Sequence, residues 1–183
     1  MQINFKLLFR TIALNLSFIT LLIFINYLTG YHDYRVFFSV SYLAVFALSF
    51  YLGQNKKNTK ILLSLFIGFG AIYLVSSFVV MLVAGGLFDS IMVASFCSSL
   101  FSSISLTALL NKLYGIAKVY LTIVASTVAG LLANIFAFQL GDITRIMFID
   151  KLYFLDTSIL IFVFWNLLVG TVLAFGMSFK ART

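Results

Sequence analysis

The sequence predicts an all-α polytopic membrane protein, a bundle of six transmembrane helices with both termini in the cytoplasm. Of its 183 residues, 63% are hydrophobic and only 9% are charged, which exceeds the usual apolar share of a soluble domain. Six apolar runs are each about long enough to cross a bilayer, and the charged residues separate by sign between alternate loops. No polar stretch is long enough for a separate soluble domain, so residues 1–183 are expected to form one domain in the lipid bilayer.

The six predicted spans follow one another with short loops between them. They cover residues 11–29, 36–52, 61–84, 90–110, 119–140 and 157–177. A helix rises ~1.5 Å per residue, so about 20 apolar residues cross the hydrocarbon core. The first run follows Lys6 and Arg10 in the manner of a signal peptide. Its apolar part is too long for a signal core and no small-residue cleavage site follows, so we expect it to be retained as a span.

The loops predict the orientation of the chain. If six spans alternate, one side carries nine basic residues and no acid: Lys6, Arg10, Lys56, Lys57, Lys60, Lys112, Lys118, Lys180 and Arg182. The other side carries three basic residues and all five acids: Arg35, Arg145, Lys151, Asp33, Asp89, Asp142, Asp150 and Asp156. The positive-inside rule therefore predicts cytoplasmic termini in a multi-pass protein of the cytoplasmic (inner) membrane. The net charge of +7 is attributed to topology, and no nucleic-acid partner is predicted.

The fifth run carries a face of small residues that predicts close helix packing. Alanines recur at every fourth position with small or polar residues beside them, and the face comprises Ala125, Ala129, Ala133, Ala137, Ser126, Gly130 and Asn134. Lipid provides no hydrophobic drive between helices, so membrane helices associate through small residues that let their backbones approach. We therefore expect the fifth helix to lie at the centre of the bundle.

The segment after the fifth run, residues 141–156, mixes charged side chains with Ile, Met, Phe and Tyr. It is too interrupted to cross the bilayer, so we expect it to lie along the outer interface. Two interpretations stay open for it: a plain interfacial anchor, or a lid over an outward-facing cavity.

No Asp, Glu, His, Lys or Arg lies within the core of any predicted span. This pattern disfavours a proton relay built on a buried carboxylate. The sequence contains no catalytic triad, paired carboxylates, phosphate-binding loop or metal-ligand spacing. His32 stands in a loop beside Asp33, and Cys97 is the single cysteine, so neither predicts a metal site or a disulfide. The chain is predicted not to be an enzyme and to carry no cofactor and no metal.

The polar groups that remain within the spans are neutral. They are Asn15, Asn26, Asn134, Gln139, Asn166 and six serines of the fourth span, Ser95, Ser98, Ser99, Ser102, Ser103 and Ser105. Amides and hydroxyls bind neutral polar ligands. The serine stripe predicts either tight packing with back-bonding to its own helix or the wall of a cavity. Trp165, beside Asn166, either fills the core or stacks on a planar ring.

Short motifs in the fourth and fifth runs give the chain a resemblance to a known family. They are Ala94-Ser95-Phe96, Asn111-Lys112-Leu113, Ala125-Ser126-Thr127 with Gly130, and Ala137-Phe138, with a looser similarity at Asn26-Tyr27-Leu28 and Gly53. On these motifs the chain resembles the vitamin-uptake-transporter-like (VUT) family, which includes the queuosine precursor transporters. The resemblance implies six spans and uptake of a deazaguanine base such as 7-cyano-7-deazaguanine. Where the family usually has Pro, Asp or Gln, this chain has Ser39, Phe46, Ser103, Leu106 and Asn134.

Two hypotheses of function follow. The first is a permease for a small, planar, largely neutral solute, with a site formed by Asn26, Ser102, Ser103, Asn134, Trp165 and Asn166. Without an intramembrane acid, uptake is expected to be facilitated diffusion trapped by metabolism, or to be energised by another subunit, with alternating access as the mechanism. The alternative is a non-transporting membrane subunit whose small-residue faces bind partner transmembrane helices or a second copy of the chain.

Overall fold

The computed structural model describes residues 2–29, 35–55, 58–82, 91–147 and 157–180, and this part of the chain is helical apart from one short strand pair. The helices are α1 (Phe5–Thr29), α2 (Arg35–Gly53), α3 (Thr59–Leu82), α4 (Ile91–Tyr114), α5 (Val119–Met147) and α6 (Thr157–Ser178). The strands, β1 (Gln2–Ile3) and β2 (Phe179–Lys180), flank them. The predicted all-α class is confirmed, and each helix overlaps one predicted apolar run.

Five of the described helices are long and apolar enough to cross a membrane, which indicates a multi-pass membrane protein. Their apolar stretches are Phe5–Ile25, Thr59–Val80, Val93–Tyr114, Val119–Leu140 and Leu160–Ser178. In α2 the corresponding stretch, Ser41–Gly53, is shorter, and the side chains of residues 35–40 lie outside the described part. α5 continues to Met147, so the segment predicted to follow the outer interface begins as helix, whereas residues 148–156 lie outside the described residues.

Local sequence explains where several helices begin and end. Asn4 caps α1, because its side-chain oxygen accepts a hydrogen bond from the Leu7 N–H at 3.2 Å. Asn58 caps α3 in a similar way, at 3.0 Å from the Lys60 backbone nitrogen. Gly115 follows α4 with a positive φ of 84°, a conformation that glycine adopts without strain. The chain can therefore turn within a few residues from α4 into α5.

The central helix of the bundle is α6. It packs against α1, α2, α4 and α5, whereas α5 packs mainly against α4 and α6. Among the described side chains of α6, only Thr171 and Phe175 are exposed. The small-residue face of α5 does point inward, with Ala133 and Ala137 fully buried, but its opposite face is apolar and exposed, as at Val124. The prediction that the fifth helix is central is therefore wrong. Its small residues pack against α4 and α6, and its other side faces outward.

The end of the bundle that holds the start of α1 and the end of α6 is packed closed. An apolar core there, which we call the apolar seal, includes Leu8, Phe50, Ile61, Leu65, Leu110, Leu173 and Met177. At Gly53, a Cβ atom would lie 2.8 Å from the Thr11 Cβ, so only glycine allows α2 to approach α1 this closely. Helices α1, α2, α3, α4 and α6 all contribute to this seal.

Both chain ends meet at the same end of the bundle. β1 and β2 pair antiparallel, with Ile3 opposite Phe179. The Phe179 ring lies 5.5 Å from the Lys118 Nζ, a cation–π distance that brings the start of α5 to this end as well. Exposed basic residues surround it: Lys6, Arg10, Lys60, Lys112 and Lys118. We refer to it as the basic end.

Candidate functional site

A cavity of about 420 Å³ lies between α2, α3, α4, α5 and α6. Its lining comes from the middle of the helices and from their halves away from the basic end. α4 lines it between residues 95 and 106, and α6 lines it between residues 161 and 166. Phe46, Phe69 and Leu106 belong both to the cavity wall and to the core that forms the apolar seal, so the seal closes the cavity toward the basic end. A volume of this size is typical of small-molecule sites.

Hydroxyl groups supply one part of the lining. Four serines of α4 share one side of that helix and face the cavity: Ser95, Ser98, Ser99 and Ser102. α3 adds Ser76 and Ser77. The Ser76 and Ser102 Oγ atoms lie 2.7 Å apart, and this buried hydrogen bond joins α3 to α4. The serine stripe of α4 thus forms a cavity wall and also contributes to helix packing.

Aromatic rings supply another part. The Trp165 and Phe69 rings both pack against the Phe46 ring, at centroid distances of 5.3 and 5.1 Å. The Tyr73 ring lies 5.5 Å from the Phe162 ring in a tilted arrangement. All five residues line the cavity, and their rings offer faces and edges on which a planar ligand can stack. Trp165 therefore packs in the core and lines the cavity at the same time.

Gly130 brings α4, α5 and α6 together beside the cavity. A Cβ atom at this position would lie 3.0 Å from the Ser99 Oγ and 3.6 Å from the Trp165 Nε1. One turn further along α5, the half-buried Asn134 lines the cavity. The indole N–H is a hydrogen-bond donor, whereas the Asn134 amide both donates and accepts. This corner therefore offers a planar ligand an aromatic surface with hydrogen-bonding groups beside it.

Two buried amides link α1 to α6 at the edge of the cavity. Asn15 donates from Nδ2 to the Asn166 carbonyl oxygen at 2.7 Å, and Asn166 donates from Nδ2 to the Phe162 carbonyl oxygen at 2.8 Å. The Oδ1 atoms of both asparagines are buried and have no hydrogen-bond partner among the described residues. A buried acceptor without a partner costs about 1–3 kcal/mol, so this pair is an energetically demanding feature of the site.

The structure brings four of the six residues predicted for the site to the cavity: Ser102, Asn134, Trp165 and Asn166. Ser103 is buried on α4, but it is not one of the residues that line the cavity. Asn26 lies on α1, and its side chain lies outside the described residues.

Sequence reasoning did not identify the contribution of α3 to the site. Tyr73, Ser76 and Ser77 all line the cavity. The adjacent serines, which interrupt an otherwise apolar run, were the available signal. Phe46 and Phe69 carried no such signal, because the chain contains 22 phenylalanines and hydropathy does not separate those that face a cavity from those that face lipid.

The side chains that line the cavity in the described part of the chain are all uncharged. That part also contains no group of three or more His, Cys, Asp or Glu residues placed to hold a metal ion. Transfer of an unpaired charge into such surroundings costs far more free energy than transfer of a neutral polar group that finds hydrogen bonds. The lining therefore favours a neutral ligand with an aromatic or otherwise apolar ring.

Together, the fold and the cavity define a multi-pass helical membrane protein with a neutral cavity inside the bundle. No family model, curated protein or solved structure matches the chain. The ligand of the cavity must therefore be inferred from the chemistry of the residues that line it.

Proposed function

We propose that the protein is a permease of the cytoplasmic membrane that takes up a small, planar, largely neutral solute through this cavity. The observation that carries the proposal is the lining, in which hydroxyl and amide groups accompany aromatic rings in about 420 Å³. The resemblance of the α4 and α5 motifs to queuosine precursor transporters supports a deazaguanine base, such as 7-cyano-7-deazaguanine, as the solute. The protein carries out transport and no covalent chemistry.

Recognition of the solute is assigned to two kinds of contact. Its ring stacks on Trp165, which the Phe46 ring supports from behind at 5.3 Å. Its polar edge forms hydrogen bonds with the Trp165 indole N–H, with Asn134 and with the Ser76–Ser102 hydroxyl pair. A stacked ring and a paired amide each contribute about 0.5–1.5 kcal/mol, and burial of the apolar surface of the ring adds about 25 cal/mol per Å².

The proposed topology has six spans, with α2 as the second and both termini in the cytoplasm. α2 is 19 residues long, which is close to the length that crosses a bilayer. The pairing of β1 with β2 supports an even number of crossings, because it holds the start of α1 and the end of α6 at one end of the bundle. The exposed lysines and arginine of the basic end support its placement in the cytoplasm.

In this topology, closure of the bundle at the apolar seal is what the outward-facing stage of alternating access requires. The cavity lies on the outer side of the apolar seal, and the seal closes the cytoplasmic side. Solute bound at Trp165 and Asn134 reaches the cytoplasm after the helices separate at the seal and close on the outer side. Such motion of helix groups about a central site is the general mechanism of secondary transporters.

Trp165 provides a direct test, because it is the only tryptophan of the chain and lines the cavity. Titration of the purified protein with 7-cyano-7-deazaguanine is expected to change its intrinsic fluorescence with saturation. Asn134→Leu, which removes the amide at nearly constant volume, is expected to weaken binding about tenfold. The matched control is Gln139→Leu, which removes an exposed amide of the same helix and should leave binding unchanged.

Two results of this titration count against the proposal. One is a fluorescence change that does not saturate, or none at all, in folded wild-type protein. The other is an equal loss of affinity in the Asn134→Leu and Gln139→Leu variants, because that would show that the cavity does not hold the solute.

The alternative, a non-transporting subunit that binds partner helices, requires small-residue faces that are free to receive them. In the structure, Ala129, Ala133 and Ala137 of α5 are buried within the chain itself. The serine stripe of α4 faces the cavity instead of the outside. The contacts that this alternative requires are therefore largely made already by helices of the same chain, and the permease is the better supported function.

A further inference from the structure

A strip of the central helix α6 is open to the outside of the bundle. Thr171 and Phe175 are the exposed residues among the described side chains of α6, and Phe164 and Leu168 are half-buried. Their spacing of four, three and four residues sets all four on one face of the helix. From Phe164 to Phe175 this face rises about 16 Å along the helix axis. We call it the α6 groove.

Close contacts place α1 and α5 on the two sides of the groove. On the α1 side, a Cβ atom at Gly170 would lie 2.7 Å from the Asn15 Nδ2. On the α5 side, a Cβ atom at Gly176 would lie 2.8 Å from the Thr122 Cγ2. In their described parts, α1 and α5 pack against α6 and do not pack extensively against each other. α6 therefore forms the floor of the groove, and the two flanking helices form its walls.

The groove is apolar over most of its length. At one end the exposed Phe136 of α5 lies beside the floor, with its ring 6.1 Å from the Phe164 ring. Leu168 and Phe175 continue the apolar surface, and Thr171 adds one hydroxyl. A length of about 16 Å is close to the depth of one leaflet, which is half of the roughly 30 Å hydrocarbon core. The floor therefore suits a lipid acyl chain in both chemistry and length.

A cation stands at the other end of the groove. The Phe175 ring packs edge-on against the Phe179 ring at a centroid distance of 4.7 Å. The Lys118 Nζ lies 5.5 Å from the centroid of that same Phe179 ring. Lys118 is exposed, so its three N–H donors can meet an anion from outside the protein. The apolar floor therefore ends at a positive charge that a ring contact holds in place.

The charge around Lys118 has a single sign. Four more exposed cations share the basic end with it: Lys6, Arg10, Lys60 and Lys112. All five acids of the sequence lie in or beside the segments that join the opposite ends of the helices: Asp33, Asp89, Asp142, Asp150 and Asp156. The summed potential at the basic end is therefore positive, and it attracts an anion.

We propose that the α6 groove holds a phospholipid with an anionic headgroup. Its phosphate lies at Lys118, and one acyl chain follows α6 from Phe175 towards Phe164. A soluble anion would leave the apolar floor uncovered, and an uncharged lipid would leave the cation without a partner. Basic sites between transmembrane helices bind anionic headgroups for the same reason. Because the lipid contacts α1, α5 and α6 together, it stabilises their packing, and this role does not depend on transport.

Thermal unfolding of the purified full-length protein in an uncharged detergent tests the site. Phosphatidylglycerol is expected to raise the Tm with saturation, by about 2–4 °C more than phosphatidylcholine with the same acyl chains. This difference should disappear in Lys118→Gln and persist in Lys118→Arg, which keeps the charge. The matched control is Lys112→Gln, which removes an exposed cation of the basic end that does not border the groove and should keep the difference.

Two results of this experiment overturn the proposal. One is an equal effect of the two lipids on the wild type. The other is an equal loss of the difference in Lys118→Gln and Lys112→Gln, because that would show general attraction of anionic lipid to the basic end in place of a site at the groove.

A second variant tests the acyl chain and covers the case in which Lys118→Gln does not fold. Thr171→Trp leaves every charge in place and fills the floor of the groove, so the difference between the two lipids should shrink. The control is Val124→Trp, which adds the same side chain on the outward face of α5 and should keep the difference. A full difference in Thr171→Trp would contradict the position of the chain.

Glycerol 3-phosphate separates a lipid from a soluble anion, because it carries the phosphate without the acyl chains. It is expected to leave the Tm of the wild type unchanged at the concentration at which phosphatidylglycerol saturates. A shift as large as that of phosphatidylglycerol would overturn the lipid site and make a soluble phosphate compound the ligand of Lys118. These measurements contain no transported solute, so their outcome is independent of the proposed permease function.

Discussion

Trp165 has two roles at the residue scale that a single substitution can separate. Its ring packs on Phe46, and its indole N–H lies beside Gly130 and the cavity. Trp165→Phe keeps an aromatic ring and removes the donor, so the stability should change little. Solute binding, measured by calorimetry, should weaken by about 1 kcal/mol, which is about fivefold.

The control for this change is Phe175→Leu, which alters an exposed aromatic residue of the same helix and should leave binding unchanged. Because the Phe175 ring packs edge-on against the Phe179 ring at 4.7 Å, this control is expected to lower the stability slightly. If Trp165→Phe binds the solute as tightly as the wild type, the indole N–H makes no hydrogen bond to it. The recognition scheme would then rest on stacking, on Asn134 and on the Ser76–Ser102 hydroxyl pair.

Sequence reasoning works unevenly for individual residues, for a physical reason. Ser102, Asn134 and Asn166 were identifiable, because a polar side chain in the middle of an apolar run needs a partner and so points inward. The same reasoning fails for Gln139, which lies near the end of its run and is exposed. Phe46 and Phe69 were not, because an apolar side chain is equally compatible with lipid, a packed core or a cavity wall. Only the packing of the helices distinguishes these three surroundings.

At the scale of the helix, two glycines in different surroundings test how the elements pack. At Gly53 on α2, an added Cβ would lie 2.8 Å from the Thr11 Cβ and 3.0 Å from the Thr11 Cα on α1. At Gly70 on α3, an added Cβ meets nothing within 4 Å. Gly53→Ala should therefore lower the free energy of unfolding by about 1–3 kcal/mol through overpacking. Gly70→Ala should raise it by up to about 1 kcal/mol through helix propensity.

Thermal or denaturant-induced unfolding in the same detergent measures both glycine variants side by side. Because α1, α2 and the apolar seal meet near Gly53, a cost there would confirm that these helices are in close contact. Equal stability of Gly53→Ala and Gly70→Ala would show that α1 and α2 do not approach as described.

The existence of the helices was predictable, but their arrangement was not. Length and hydropathy suffice to locate α1 and α3 to α6. A chain that crosses the bilayer must form its backbone hydrogen bonds within itself, so a long apolar run becomes a helix. The inward direction of the α5 alanines was also predictable from their spacing. That α6 and not α5 is central depends on which faces pair across the whole bundle, and α6 is apolar on all sides, so its sequence shows no preferred face.

At the scale of the whole molecule, an apolar seal and a neutral cavity divide the bundle along its axis. The seal joins five helices at the basic end, and the cavity begins where that core reaches Phe46, Phe69 and Leu106. In alternating access, each end state of the transporter is closed on one side of the membrane and keeps its binding site on the other side of that closure. The position of the site in the bundle thus supports transport more strongly than any single lining residue does.

The most direct test of transport is complementation in a bacterium that lacks both its own queuosine precursor synthesis and its own transporter. Cells that express this chain are supplied with 7-cyano-7-deazaguanine, and queuosine is measured in their tRNA. The account predicts that the wild type restores the modification and that Asn134→Leu, present in the membrane at equal level, does so much less. Unmodified tRNA in cells with folded wild-type protein in the membrane would contradict uptake of this solute.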